Sequence, residues 1–238
     1  MSNNTFNGFP EEALQFLADL KLNNSREWFK GHKADHIKYL LTPGQSFVIS
    51  LGERLKDISP GLRYDPQTNG RGSIMRVHRD IRFSKDKSPY NTRFRAIFWE
   101  GPGKKMQHPG IFFGMDMTGG GLYLGLHSFS KPFLTAYREA VVSDEMGQLL
   151  IDAIDSVSQA GDYEIGGSHY KRVPRGFDPS HPRADLLKYK GLYVISPQIN
   201  LSTLKTADLI DLCVEYCQNM APIHHWLVKL DNSIPRLT

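Results

Sequence analysis

Apolar residues recur every three to four positions at both ends of the chain and every second position in its middle. Within residues 9–20, Phe9, Ala13, Phe16, Leu17 and Leu20 share one helical face, and Pro10 and two glutamates occupy the first turn. The spacing predicts an amphipathic helix. Asn23-Asn24-Ser25-Arg26-Glu27 opens a second one, with Asn24 placed to cap it and Glu27 three residues on, as in a capping box. Pro43-Gly44 should break the chain, and Phe47, Leu51 and Leu55 mark a third helix ending near residues 59–61.

From there the period changes to two. Residues 74–83 and 94–99 read as strands, and residues 111–117 and 122–127 as a hairpin turning at Thr118-Gly119-Gly120-Gly121. Helical spacing returns at residues 131–142 and 144–160. A short helix is expected after His181-Pro182, a strand at 192–195, and a helix at 206–230 interrupted near Pro222. Helices, then antiparallel strands, then helices give an α+β fold, with a sheet of about four to six strands in mid-chain. No repeat or linker divides the 238 residues, so one domain spanning 1–238 is the simplest expectation.

Composition narrows the class. At 40% hydrophobic and 23% charged residues the chain can bury a core without metal or disulfide support. No apolar run reaches the length of a membrane span, and residues 1–10 lack the basic and apolar regions of a signal peptide. A cytoplasmic protein with no membrane partner is expected. Cys213 and Cys217, four apart in a helical stretch, read as core residues, and no second pair completes a zinc site. No dinucleotide or P-loop glycine pattern appears, and neither a metal nor a cofactor is expected.

The net charge is +4, but its distribution matters more. Residues 71–95 carry eight basic residues, Arg71, Arg76, Arg79, Arg82, Lys85, Lys87, Arg93 and Arg95, against Asp80 and Asp86. The excess is therefore local. On a strand at 74–83, Met75, Val77, Ile81 and Phe83 should face the core, and Arg76, His78, Asp80 and Arg82 the other side. Arg79 falls on the apolar side, where a guanidinium needs a partner. The following loop offers Ser84, Lys85, Lys87, Ser88, Tyr90 and Thr92. Guanidinium forks, ammonium groups and hydroxyls together suit phosphate or carboxylate recognition; the competing reading is a solvated hairpin with surface ion pairs.

In the glycine-rich hairpin, pairing Met117 opposite Leu122 places Ile111, Phe113, Met115, Met117, Leu122, Leu124 and Leu126 on one apolar face. Phe112, Gly114, Asp116, Tyr123, Gly125 and His127 share the other. Asp116, Tyr123 and His127 could serve as acid, donor and base around a hollow left by the glycines. His32 and His36 are four apart on a helix but lack the glutamate of a metalloprotease motif, and are expected in solvent. Adjacent His224 and His225 cannot face one metal from a regular helix. Lys171-Arg172-Val173-Pro174-Arg175-Gly176 reads as a loop able to extend the basic patch, and Trp28 as core or pocket wall.

Two stretches, Asn23-Asn24-Ser25-Arg26-Glu27-Trp28-Phe29 and Arg79-Asp80-Ile81-Arg82-Phe83-Ser84-Lys85-Asp86-Lys87-Ser88-Pro89-Tyr90-Asn91-Thr92, resemble the hallmarks of domain of unknown function 2461. This is a conserved hypothetical family of bacteria with fungal relatives. Gly120-Gly121-Leu122-Tyr123, Tyr137-Arg138-Glu139-Ala140 and Val173-Pro174-Arg175-Gly176-Phe177 with His181-Pro182 extend the resemblance over nearly the whole chain. It implies an intracellular protein of one compact domain and supplies no activity. Asn91 stands where many members have lysine, which bears on one basic contact.

The sequence thus supports an anion site, for a phosphate-bearing small molecule or nucleotide. Arg76, Arg79, Arg82, Lys85 and Lys87 would hold the anion, Tyr90 and Thr92 would add hydrogen bonds, and Asn24, Arg26, Trp28 and Tyr123 would form walls. Asp80, Asp116 and His127 are the candidate catalytic groups for hydrolase or transferase chemistry. The alternatives are a nucleic-acid-associated module using the same basic face, and a structural or protein-interaction domain without catalysis.

Overall fold

In a computed structural model, residues 5–69, 71–102 and 104–235 are described. The chain divides into two compact units. The first comprises Met1–Phe98, Phe112–Leu122 and Gln198–Glu215, and the second Trp99–Ile111, Tyr123–Pro197 and Tyr216–Thr238. Five strands, β1 (Phe94–Trp99), β2 (Gly110–Asp116), β3 (Gly119–Leu126), β4 (Glu164–Ser168) and β5 (Tyr189–Ile195), form a sheet in the order β1-β2-β3-β5-β4. Helices precede and follow this strand region in sequence, so the fold is α+β.

The first unit begins with α1 (Glu11–Leu22), whose Ala13, Leu14, Phe16, Leu17 and Leu20 are buried, as the spacing predicts. Helix α2 (Arg26–Gly31) is capped by Ser25, which accepts from the Trp28 amide, and not by Asn24. Helix α3 (Lys33–Asp35) runs through a π-helical turn, His36–Leu41, into α4 (Thr42–Leu55). Pro43-Gly44 therefore does not break the chain. Pro43 stands in the first turn of α4, directly after the π-helical turn, and the helical path continues through it. Gly44 receives the Phe94 ring; a Cβ there would lie 2.7 Å from two ring atoms. Phe94, Phe9, Phe47 and Phe113 form an aromatic core, with centroids 5.2 Å apart for Phe9–Phe94 and 4.4 Å for Phe47–Phe113.

Residues 74–83 are not the expected strand. They form isolated bridges, Ile74 to Ala96 and His78 to Tyr90, and sparse backbone bonds such as Met75 N to Arg95 O and Arg79 N to Pro89 O. Pro89 has no N–H to return a bond, and the Asn91 side chain approaches the carbonyls of this segment, donating to Val77 O at 3.1 Å. The inward set also differs. Ile74 is buried, Met75, Val77 and Ile81 are half-buried, and Phe83 is 96% exposed.

In the second unit, Tyr123 pairs with Ile195 and Gly125 with Tyr193, while Gly166 of β4 pairs with Tyr193 on the far side of β5. Strand β5 begins earlier than its apolar run indicates, and β4 (EIGGS) carries too little apolar pattern to read as a strand. The expected short helix after Pro182 is a set of turns ending in a 3-10 turn, Leu186–Lys188. Arg183 is held there by carbonyls at the end of α5 (Lys131–Val142), with Nε donating to Val141 O at 2.6 Å and Nη2 to Ser143 O at 3.0 Å. Ser143 caps α6 (Asp144–Gln159) by accepting from Met146 N.

After the short α7 (Leu201–Leu204), α8 (Asp208–Ser233) runs through Pro222 without interruption. Cys213 and Cys217 are buried thiols, not joined in a disulfide. The turn of the β2–β3 hairpin is Met117-Thr118, not the glycine run, so Met117 leaves the apolar face. The other members of that face, Ile111 to Leu126, are buried as expected. No described helix is long and apolar enough to cross a membrane.

Candidate anion site

The basic loop is organised by its own charges. Arg79, whose side chain is 25% exposed, donates from Nη1 to Asp86 Oδ2 at 2.5 Å and to Ser88 O at 3.1 Å. Ser88 donates to Asp86 Oδ1 from its backbone N–H at 2.9 Å and from its hydroxyl. These bonds, with that from Arg79, hold the Asp86 carboxyl down at a pKa of about 2. Arg82 closes on Asp80 through Nε at 2.9 Å and Nη2 at 2.7 Å, which lowers Asp80 to about 2 as well. Lys87 donates to Ile81 O at 3.0 Å. Arg79 thus has the partner that its place on the apolar side of the chain demands.

Beside this loop lies a cavity of about 340 Å³, wholly within the first unit, lined by Lys21, Asn24, Arg79, Asp86, Ser88, Tyr90, Asn91, Thr92, Arg93 and Arg95. Four cations face one carboxylate, and that carboxylate is already taken by Arg79 and Ser88. Arg93 is oriented from behind, its Nε 3.1 Å from Asp116 Oδ2. Asp116 also accepts from Thr118 N at 2.8 Å and from the Thr118 hydroxyl at 2.5 Å.

Arg95 differs from every other arginine of the loop. It is half-buried, and its guanidinium makes no hydrogen bond or ion pair among the described residues. Burial, and secondarily repulsion from Arg93, lowers its pKa. Lys21, at the end of α1, likewise has no acid partner among the described residues.

The wall is registered by Asn24. Its Nδ2 donates to Tyr90 O and its Oδ1 accepts from Tyr90 N, both at 3.0 Å. The Tyr90 ring stacks on Phe29 of α2 at 4.2 Å between centroids, with a plane angle of 20°.

Of the sequence candidates, Asn24, Arg79, Tyr90 and Thr92 line the cavity. Arg76, Arg82, Lys85 and Lys87 do not, and all four are exposed. Asp80 is occupied by Arg82, and Arg26 is exposed. Trp28 lies on His32, with centroids 4.0 Å apart, so both His32 and the half-buried His36 belong to an aromatic cluster and not to open solvent. Asp116 serves the cavity through Arg93. Tyr123 and His127 belong to the second unit, where both approach the Tyr193 ring, at 4.7 and 5.7 Å. No group of three or more His, Cys, Asp or Glu able to hold a metal occurs among the described residues.

Sequence reasoning noted Arg95 as a cation of the return strand but did not place it in the site, and it missed Lys21. The signal for Arg95 was present: it is the one charge inside the apolar run Phe94–Trp99.

The chain matches the family described as conserved hypothetical protein (DUF2461) over residues 12–226. It belongs to that family. Its description names no activity. A search of curated proteins finds no match.

Proposed function

We propose that this member of the family binds a phosphate-bearing anion in the cavity beside Arg95. The reading is carried by one observation: a half-buried guanidinium, next to a second arginine, that has no acid partner among the described residues. Withdrawing a cation from water without a counter-charge is unfavourable. An anion seated between Arg95, Arg93 and Lys21 offsets that cost, and the bidentate guanidinium fork matches phosphate oxygens. Arg79 and Asp116 act as positioning groups, one fixing the loop and the other aiming Arg93. Thr92 and Asn91 add polar contacts from the cavity wall. Binding is the function this geometry supports best. The buried, reduced thiols of Cys213 and Cys217 accord with a reducing, cytoplasmic setting.

Isothermal titration with pyrophosphate tests the assignment. The wild-type protein should bind near one equivalent, and Arg95→Met should bind at least about tenfold more weakly, because a charge-assisted contact is lost. Equal binding by the variant, or none by the wild type, returns the loop to a structural or protein-interaction role.

A further inference from the structure

The apex of the loop carries a feature that the cavity does not use. Phe83 is 96% exposed, the opposite of its expected place in the core. The Arg82 guanidinium lies 5.9 Å from the centre of its ring. Arg82 itself makes two side-chain bonds to Asp80, two residues away. Phe83 is three residues from Asp86, a cavity-lining residue, so the two Cα atoms lie within about 11 Å along the chain. Outside the cavity, exposed Arg76 and Lys85 make no ion pair among the described residues.

We infer that the loop binds single-stranded nucleic acid, with one base stacked on Phe83 and a backbone phosphate in the Arg95 cavity. This inference rests on the phosphate reading of that cavity. An exposed aromatic ring beside a phosphate site is the arrangement by which single strands are held, since every base presents a π face and the strand presents regularly spaced phosphates. The unpaired cations beyond the cavity favour a polyanion over a mononucleotide, because they lie outside the space a single phosphate group fills. An anionic lipid surface satisfies the charges but not the rest: one apolar side chain is a marginal anchor, and a concave polar cavity has no place against a flat headgroup layer.

Fluorescence anisotropy with a labelled ten-nucleotide oligothymidylate tests the inference, beside titration with pyrophosphate. The variants are Phe83→Ala, Phe83→Trp and Arg95→Met. The Phe83 side chain contributes nothing to the core, so its variants should fold. Phe83→Ala should weaken oligonucleotide binding about tenfold, the loss of one base stack, and leave pyrophosphate binding unchanged. Phe83→Trp should restore binding, and its added indole fluorescence should be quenched by the oligonucleotide. Arg95→Met should lose both ligands. Pyrophosphate binding without oligonucleotide binding, or equal oligonucleotide binding by Phe83→Ala, overturns the inference while the cavity reading stands. Binding of neither ligand by the wild type overturns both. Sedimentation with phosphatidylserine vesicles that depends on Phe83, without oligonucleotide binding, overturns it in favour of a lipid surface.

Discussion

Asn24 and Tyr90, 66 residues apart, exchange two hydrogen bonds of 3.0 Å, the side-chain amide of one standing in for a strand partner to the backbone of the other. An amide can do this because it carries a donor and an acceptor on one carbon. The pair fixes where the 90–95 stretch meets the end of α1, and with it the positions of Thr92, Arg93 and Arg95.

Asn24→Ala leaves the partly buried Tyr90 N–H and C=O without that partner, at a cost of about 2 kcal/mol. Thermal unfolding should fall by about 5 °C, and pyrophosphate affinity should fall with it. Asn24→Asp keeps the acceptor but loses the donor, so its loss should be intermediate.

Arg95→Met should move stability and binding in opposite directions. The charge is disfavoured in the folded state by burial and then by Arg93, so an apolar chain of similar length should hold or raise the urea midpoint while anion binding disappears. A site that is strained until occupied predicts this trade; a fall in stability of more than about 1 kcal/mol would identify Arg95 as structural.

His36 makes stability depend on pH. Burial, and then the charge of His78, lowers its pKa from 6.5 to about 4. It packs against Phe16 and Phe29, and it lines a small cavity with Asn91, Arg93 and Arg95. Its unfolded form therefore takes up a proton at a higher pH than its folded form. The contribution is complete above pH 6.5 and is lost as pH falls toward 4, by about 3 kcal/mol. Urea unfolding from pH 7 to pH 4 should show this slope, and His36→Asn should flatten it.

Two helical glycines should respond oppositely to the same substitution. Gly31 has nothing within 4 Å of an added Cβ, so Gly31→Ala should stabilise by roughly 0.5–1 kcal/mol. At Gly44 the methyl would meet the Phe94 ring, and overpacking should cost about 1–3 kcal/mol. Paired thermal melts decide both.

The helices, the return strand and the buried side of the hairpin were legible because their periods are clean: Phe16 and Leu20 in α1, or Phe113 and Met115 in β2, alternate as burial does. The 74–83 stretch has the same alternation and is not a strand, because Pro89 and the Asn91 amide disturb the partner ladder, a non-local fact that no period contains. The basic loop was legible as a place, but its charges were not legible as free or spent. Whether Arg82 faces an anion or closes on Asp80 two residues away depends on side-chain geometry. Lys21 was invisible because all its neighbours in the cavity but Asn24 come from residues 79–95.

Arg183 reaches across about forty residues of sequence to the carbonyls that end α5. The irregular stretch that carries it is therefore not an independent flap. Opening that stretch uncaps the helix, so the amides of the α5–α6 corner should exchange with deuterium as one block with it, and the least regular part of the second unit governs how long one of its most regular parts stays closed.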